Sequence, residues 1–153
     1  MVKALIAAKI SLLIIVLPAY AVAASLCKTS ERTVWSCDSK SKSFSLCSST
    51  DLSATTGYLQ YRSGTQSKIE FEYPATKKHP KGLFLYGLLA RGAALSFKNG
   101  QYTYEVVEPL IGEAHIDVLR RDESLSTITC ISTTATLSDN STIALFNLIG
   151  PDE

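Results

Sequence analysis

Ala93-Ala94-Leu95-Ser96-Phe97-Lys98-Asn99-Gly100-Gln101-Tyr102-Thr103-Tyr104-Glu105-Val106-Val107 reads as two strands around a tight turn. Apolar side chains recur at every second position, Ala93, Leu95 and Phe97 on one arm and Tyr102, Tyr104 and Val106 on the other. A strand buried on one side needs that period, because successive side chains point to opposite faces. Asn99-Gly100 between the arms is the dipeptide a two-residue type I′ turn favours, since both of its positions need positive φ. A turn there sets Phe97 opposite Tyr102, Leu95 opposite Tyr104 and Ala93 opposite Val106, with Ser96, Lys98 and Glu105 on the far side. Turn chemistry and burial pattern agree, and the segment is a β-hairpin.

The same alternation extends outward. In Lys68-Ile69-Glu70-Phe71-Glu72-Tyr73, Ile69, Phe71 and Tyr73 share one face and the charges share the other. Gly57 to Arg62 can pair with it across a loop from Ser63 to Ser67, with Leu59 opposite Phe71 and Tyr61 opposite Ile69. A slip of one residue would throw these groups to opposite faces. Further strands are expected over Thr33–Cys37, Ser43–Cys47, Leu83–Leu89, Ala114–Leu119 and Ser126–Ile131. The tail Thr142–Ile149 fits either a last strand or a short helix capped from Ser138-Asp139-Asn140. Short strands at about ten-residue spacing, parted by Gly, Pro, Ser and Asn, predict an all-β domain, a single antiparallel β-sandwich or barrel. The longest irregular stretch, Pro74 to Lys81, reads as a solvated loop.

The N-terminus sets the compartment. Lys3 and Lys9 precede the apolar run Ile10–Leu17, then Pro18 and Ala21-Val22-Ala23-Ala24. This is the pattern of a secretory signal peptide, and the run falls short of the roughly 20 residues of a membrane span. Cleavage after Ala23 or after Ala24 satisfies the small-residue rule; residues 1–24 are taken as the signal and 25–153 as a single domain. Leu26 before Cys27 is too bulky for a lipid-anchor site, so no stable membrane insertion is expected after cleavage. The four cysteines Cys27, Cys37, Cys47 and Cys130 all follow that point. An even count in an exported chain predicts two disulfides, here stapling the sheet domain in a periplasmic or secreted protein. Three pairings are open, and each ties Cys130 back to one of the N-terminal cysteines. The ten-residue spacings lack the paired CxxC of a zinc site.

Composition narrows the partners. The chain has 15 basic and 14 acidic residues, and loss of Lys3 and Lys9 leaves one more acid than base. Scattered charge of that kind has no footprint for nucleic acid. No GxSxG elbow and no phosphate-binding Gly-rich loop occurs, so neither catalytic nor cofactor residues are assigned. Glu113, His115 and Asp117 share one face of a predicted strand, which allows a metal or a His–carboxylate pair; the plainer reading is a solvated polar face. His79 reads as a loop residue. Asn140-Ser141-Thr142 matches the N-glycosylation pattern, taken as chance. Trp35, Tyr61, Tyr73, Tyr86, Tyr102 and Tyr104 fall mostly on core faces, whereas Tyr58 alternates with Leu59 and Tyr61. The polar turn Arg62, Ser63 and Gly64 is the candidate for insertion into a partner's cleft.

Gly92 to Tyr102, with its Gly-Ala start and hairpin, resembles the Gly-Ala-x-Tyr segment of the bacterial C-type lysozyme inhibitors. Val34-Trp35-Ser36-Cys37-Asp38 resembles their N-terminal Tyr-x-Cys strand, and Cys130 would complete their bridge. The resemblance implies an exported β-barrel that blocks the lysozyme cleft with a polar loop and performs no catalysis. Leu95 stands where the family has an aromatic residue, the chain is longer and it carries an extra cysteine pair, so no inhibitory residue is carried over. The expected function is an exported non-enzymatic binding protein, an inhibitor of a hydrolase such as lysozyme. The alternative is a structural or envelope-associated protein without a soluble target.

Overall fold

Alternating polarity leaves each strand with one face that must leave water, and two five-stranded antiparallel sheets solve this by facing each other. The structure, a computed structural model, describes residues 24–134 and 136–150. The first sheet holds β1 (Glu31–Asp38), β2 (Ser43–Ser49), β3 (Leu59–Thr65) and β4 (Lys68–Tyr73). The second runs through β5 (Leu85–Leu89), β6 (Gly92–Asn99), β7 (Tyr102–Pro109), β8 (His115–Arg120) and β9 (Glu123–Thr129) in chain order. The short β10 (Ser132–Thr134) then returns to the first sheet and pairs with β1. The described strands form two separate sheets, a sandwich and not the closed barrel that the resemblance implies. The tail is α1 (Asn140–Ile149), which settles the open choice between strand and helix.

Between the sheets lie Trp35, Leu46, Leu59 and Tyr61 from one side and Leu95, Phe97, Val106 and Ile116 from the other. An aromatic stack runs through this core. The Phe97 ring lies 4.8 Å from Tyr104, 4.5 Å from Tyr73 and 4.9 Å from Tyr61. Packing therefore accounts for most of the tyrosines, as their alternation predicted. Helix α1 docks its Phe146 on Tyr86 at 4.3 Å, and the Tyr86 hydroxyl donates to the Leu137 carbonyl at 2.8 Å.

Both predicted hairpins form, each in a different register. Phe97 pairs with Tyr104, Leu95 with Val106 and Ala93 with Glu108. Asn99 pairs with Tyr102, so Gly100-Gln101 is the loop, with Gly100 at φ +62°. Positive φ at the first loop position alone suits a type II′ turn, which accepts Gly followed by an ordinary residue. In the other hairpin Tyr61 pairs with Tyr73 and Ser63 with Phe71, and a bulge shifts the register before Gly64 meets Ile69. Ile69, past that bulge, is 40% exposed rather than buried. Arg62, Ser63 and Gly64 are thus part of β3 and not an exposed loop, because the strand continues to Thr65. The last predicted strand, Ser126–Ile131, ends at Thr129.

The two disulfides are Cys27–Cys47 and Cys37–Cys130. Cys37–Cys130 joins β1 to the residue after β9 and so ties one sheet to the other. Cys27–Cys47 fastens the segment 24–30 over the outer face of the first sheet, where the Leu26 amide donates to Ser45 Oγ at 3.0 Å. That cover explains why β2 and β3 are buried on both faces. Two formed disulfides belong to a non-reducing compartment.

Candidate functional site

Arg62 was expected at a partner surface, and the structure buries it. Its guanidinium holds Glu31 as a fork, Nη1 to Oε2 at 2.6 Å and Nη2 to Oε1 at 2.8 Å, with the two side chains 2% and 1% exposed. The remaining donors reach Gln60 Oε1 at 2.8 Å, the Leu26 carbonyl at 3.2 Å and Glu72 at 3.2 Å. Tyr58 and Lys77 close the network on Glu31 Oε1 at 2.6 and 3.0 Å. Burial alone would raise the Glu31 pKa. The hydrogen bond from Arg62, then those from Tyr58, the Lys28 amide and Lys77, override it and hold the carboxyl far below its usual range. A saturated guanidinium of this kind clamps the N-terminal segment and has no donor to offer a partner.

The predicted polar face of β8 is present. His115 Nε2 lies 3.6 Å from Asp117 Oδ2, and Thr127 donates to Asp117 Oδ1 at 2.5 Å. Glu113 precedes the strand and meets His115 only through its backbone carbonyl, at 3.3 Å. Among the described residues no three His, Cys, Asp or Glu side chains gather as metal ligands. His79 sits in its loop with Nε2 3.0 Å from the Ser53 carbonyl. At one end of the sandwich the sheets leave a cavity of about 410 Å³ lined by Tyr61, Phe71, Tyr104 and Ile128. Lys42, which also lines it, pairs with Glu70 at 2.5 Å.

The most unusual surface lies at the end of the second sheet where β7 gives way to β8. Pro109-Leu110-Ile111-Gly112 turns there, and Leu110 is 68% and Ile111 84% exposed. The Leu110 amide donates to the Arg91 carbonyl at 3.1 Å, which seats this loop beside the β5–β6 turn. Leu88 and Leu89, 59% and 47% exposed, end β5 at that turn. Strand β5 is a sheet edge, and Leu85-Tyr86-Gly87-Leu88-Leu89 carries no charge and no proline of the sort that usually shields one. Edge strand β4, by contrast, carries Lys68, Glu70 and Glu72. The loop's base is held firmly. Buried Glu108 accepts from the Leu137 amide at 3.3 Å and from Ser138 at 3.1 Å.

Four large exposed apolar side chains at one end of the domain suit contact with another molecule better than contact with water. Sequence reasoning passed over Leu110 and Ile111. The signal that could have found them is an apolar pair bounded by Pro109 and Gly112, where a turn exposes what a strand would bury. No protein-family model, curated protein or solved structure matches the chain.

Proposed function

We propose that the chain is an exported, non-enzymatic binding protein that engages a protein partner through the β7–β8 loop, the partner being a hydrolase such as lysozyme. The observation that carries this reading is the exposed apolar pair Leu110–Ile111, set beside Leu88 and Leu89 on a firmly held loop. A projecting loop fits a concave partner, and its anchored base reduces the ordering cost of binding. Export is supported by the small-residue pattern at Ala21–Ala24 and by the two disulfides, and the site of action is the periplasm or the extracellular space. The hydrolase is suggested by the likeness of Gly92–Tyr102 and Val34–Asp38 to the lysozyme inhibitors.

Burying a large aliphatic side chain is worth about 1.5–3 kcal/mol. Ile111→Asp should therefore weaken binding at least about tenfold. The test is titration of the purified exported protein into a lytic assay with a C-type lysozyme. Dose-dependent inhibition that Ile111→Asp abolishes is the expected result. Inhibition untouched by Ile111→Asp would remove the loop from the reading, and unchanged lysis at every ratio would remove lysozyme.

A further inference from the structure

We infer that export ends with hydrolysis of the Ala23–Ala24 peptide bond, and that the α-ammonium so freed is seated on the Asp38 carboxylate. The inference rests on the export reading and makes it specific. A signal-type endopeptidase is the catalyst and water the co-reactant: the hydroxyl goes to the Ala23 carbonyl carbon, and the Ala24 nitrogen takes up protons to become –NH₃⁺.

Small residues precede both cleavage points, after Ala23 and after Ala24, and the sequence reading takes the later one, with residues 1–24 as the signal. The structure separates them. The Ala24 nitrogen lies 2.8 Å from Asp38 Oδ2, at the end of β1 beside the Cys37–Cys130 bridge. Asp38 Oδ1 is buried and finds no hydrogen-bond partner among the described residues. As an amide, the Ala24 nitrogen has one hydrogen to give. As an ammonium it has three and a full positive charge, so it can serve both carboxylate oxygens. Cleavage one residue later would discard that nitrogen and leave Ser132 Oγ, at 3.4 Å, as the remaining side-chain partner of Asp38 among the described residues. A buried carboxylate oxygen left without a donor is costly.

The following residues are held in the same way, which fixes the end in place. Ser25 Oγ meets Thr33 Oγ1 at 2.8 Å, the Ser25 carbonyl accepts from Gln66 at 3.3 Å and Cys27 is bonded to Cys47. The nitrogen that cleavage would free is already in contact with an acid.

The full chain, expressed with its own leader, supplies the test. The exported product is sequenced from its N-terminus, and its α-amino group is then labelled with an amine-reactive ester at neutral pH. The expected first residue is Ala24, with labelling about tenfold slower than in Asp38→Asn, the effect of one pKa unit held by the carboxylate. Ser25 as first residue overturns the inference while leaving export standing. Ala24 first, with labelling as fast as in Asp38→Asn, overturns the seating on Asp38. An intact Met1 overturns export and the inference together. The sequencing result stands whether or not Asp38→Asn folds.

Discussion

Arg62 and Glu31 show what one buried pair asks of its surroundings. Each charge would be expensive alone, and the fork geometry with Gln60, Tyr58 and Lys77 makes the pair tolerable. Arg62→Met strands Glu31, although Tyr58 and Lys77 still reach it, so the loss should sit near the low end of the usual range, about 3 kcal/mol. Urea unfolding at neutral pH measures it. Arg62→Lys should not restore stability, since one ammonium cannot reproduce two parallel bonds. The Glu31 carboxyl has its folded pKa depressed below the unfolded value, which is about 4.3. Its contribution is therefore complete above that value and is lost as pH falls through the acid range toward the folded pKa. Glu31→Gln should be less stable at pH 7. Its deficit should narrow steadily below about pH 4 in a urea-midpoint series, because the unfolded carboxyl then takes up a proton that the native one, with its depressed pKa, does not. A gap that stays constant with pH would contradict the assignment.

At the scale of the element, β3 and its hairpin turn on Gly64. Its φ of +152° lies outside the range of ordinary residues, and a Cβ there would collide with the Lys68 carbonyl and come within 2.9 Å of the Glu70 nitrogen. Gly100 also has positive φ, yet nothing lies within 4 Å of the place its Cβ would take. Gly100→Ala should therefore cost about 1 kcal/mol, from backbone conformation alone. Gly64→Ala adds the steric clash inside a bulge and should cost about 2–3 kcal/mol. Thermal or urea unfolding of the two variants side by side decides it; equal losses would mean that the bulge relaxes freely. The bulge itself is what turns Ile69 outward.

For the whole molecule the two disulfides have different tasks. Cys37–Cys130 closes a separation of 93 residues between the sheets, and Cys27–Cys47 a separation of 20 within the cover of the first sheet. Loop-closure entropy assigns them about 4.6 and 3.3 kcal/mol. Replacing Cys37 and Cys130 together by Ala should lower stability by about 1 kcal/mol more than replacing Cys27 and Cys47, as read from urea midpoints. The reverse order would mean that the N-terminal cover contributes more than the link between sheets. That cover also carries the Leu26 contact to Arg62, so its loss should expose the ion pair to solvent.

Period-two alternation and four cysteines behind an export pattern were enough, from sequence alone, for the antiparallel sheets and a pair of disulfides; the turn between β6 and β7 fell one residue later than Asn99-Gly100. Alternation is a local property, so the faces of Leu95, Phe97, Tyr104 and Val106 could be assigned without knowing their neighbours. Register could not. Moving the hairpin by two residues keeps every side chain on its face, so the pattern is blind to whether Phe97 meets Tyr102 or Tyr104. Arg62 looked like a solvated loop residue because its acid, Glu31, lies 31 positions away and only the folded first sheet brings them together. Leu110 and Ile111 carry no mark of exposure in the sequence, because only the packed sheets show which apolar residues find no cover. Tertiary structure decided the partners of charged and apolar groups alike, because burial depends on what arrives from elsewhere in the chain.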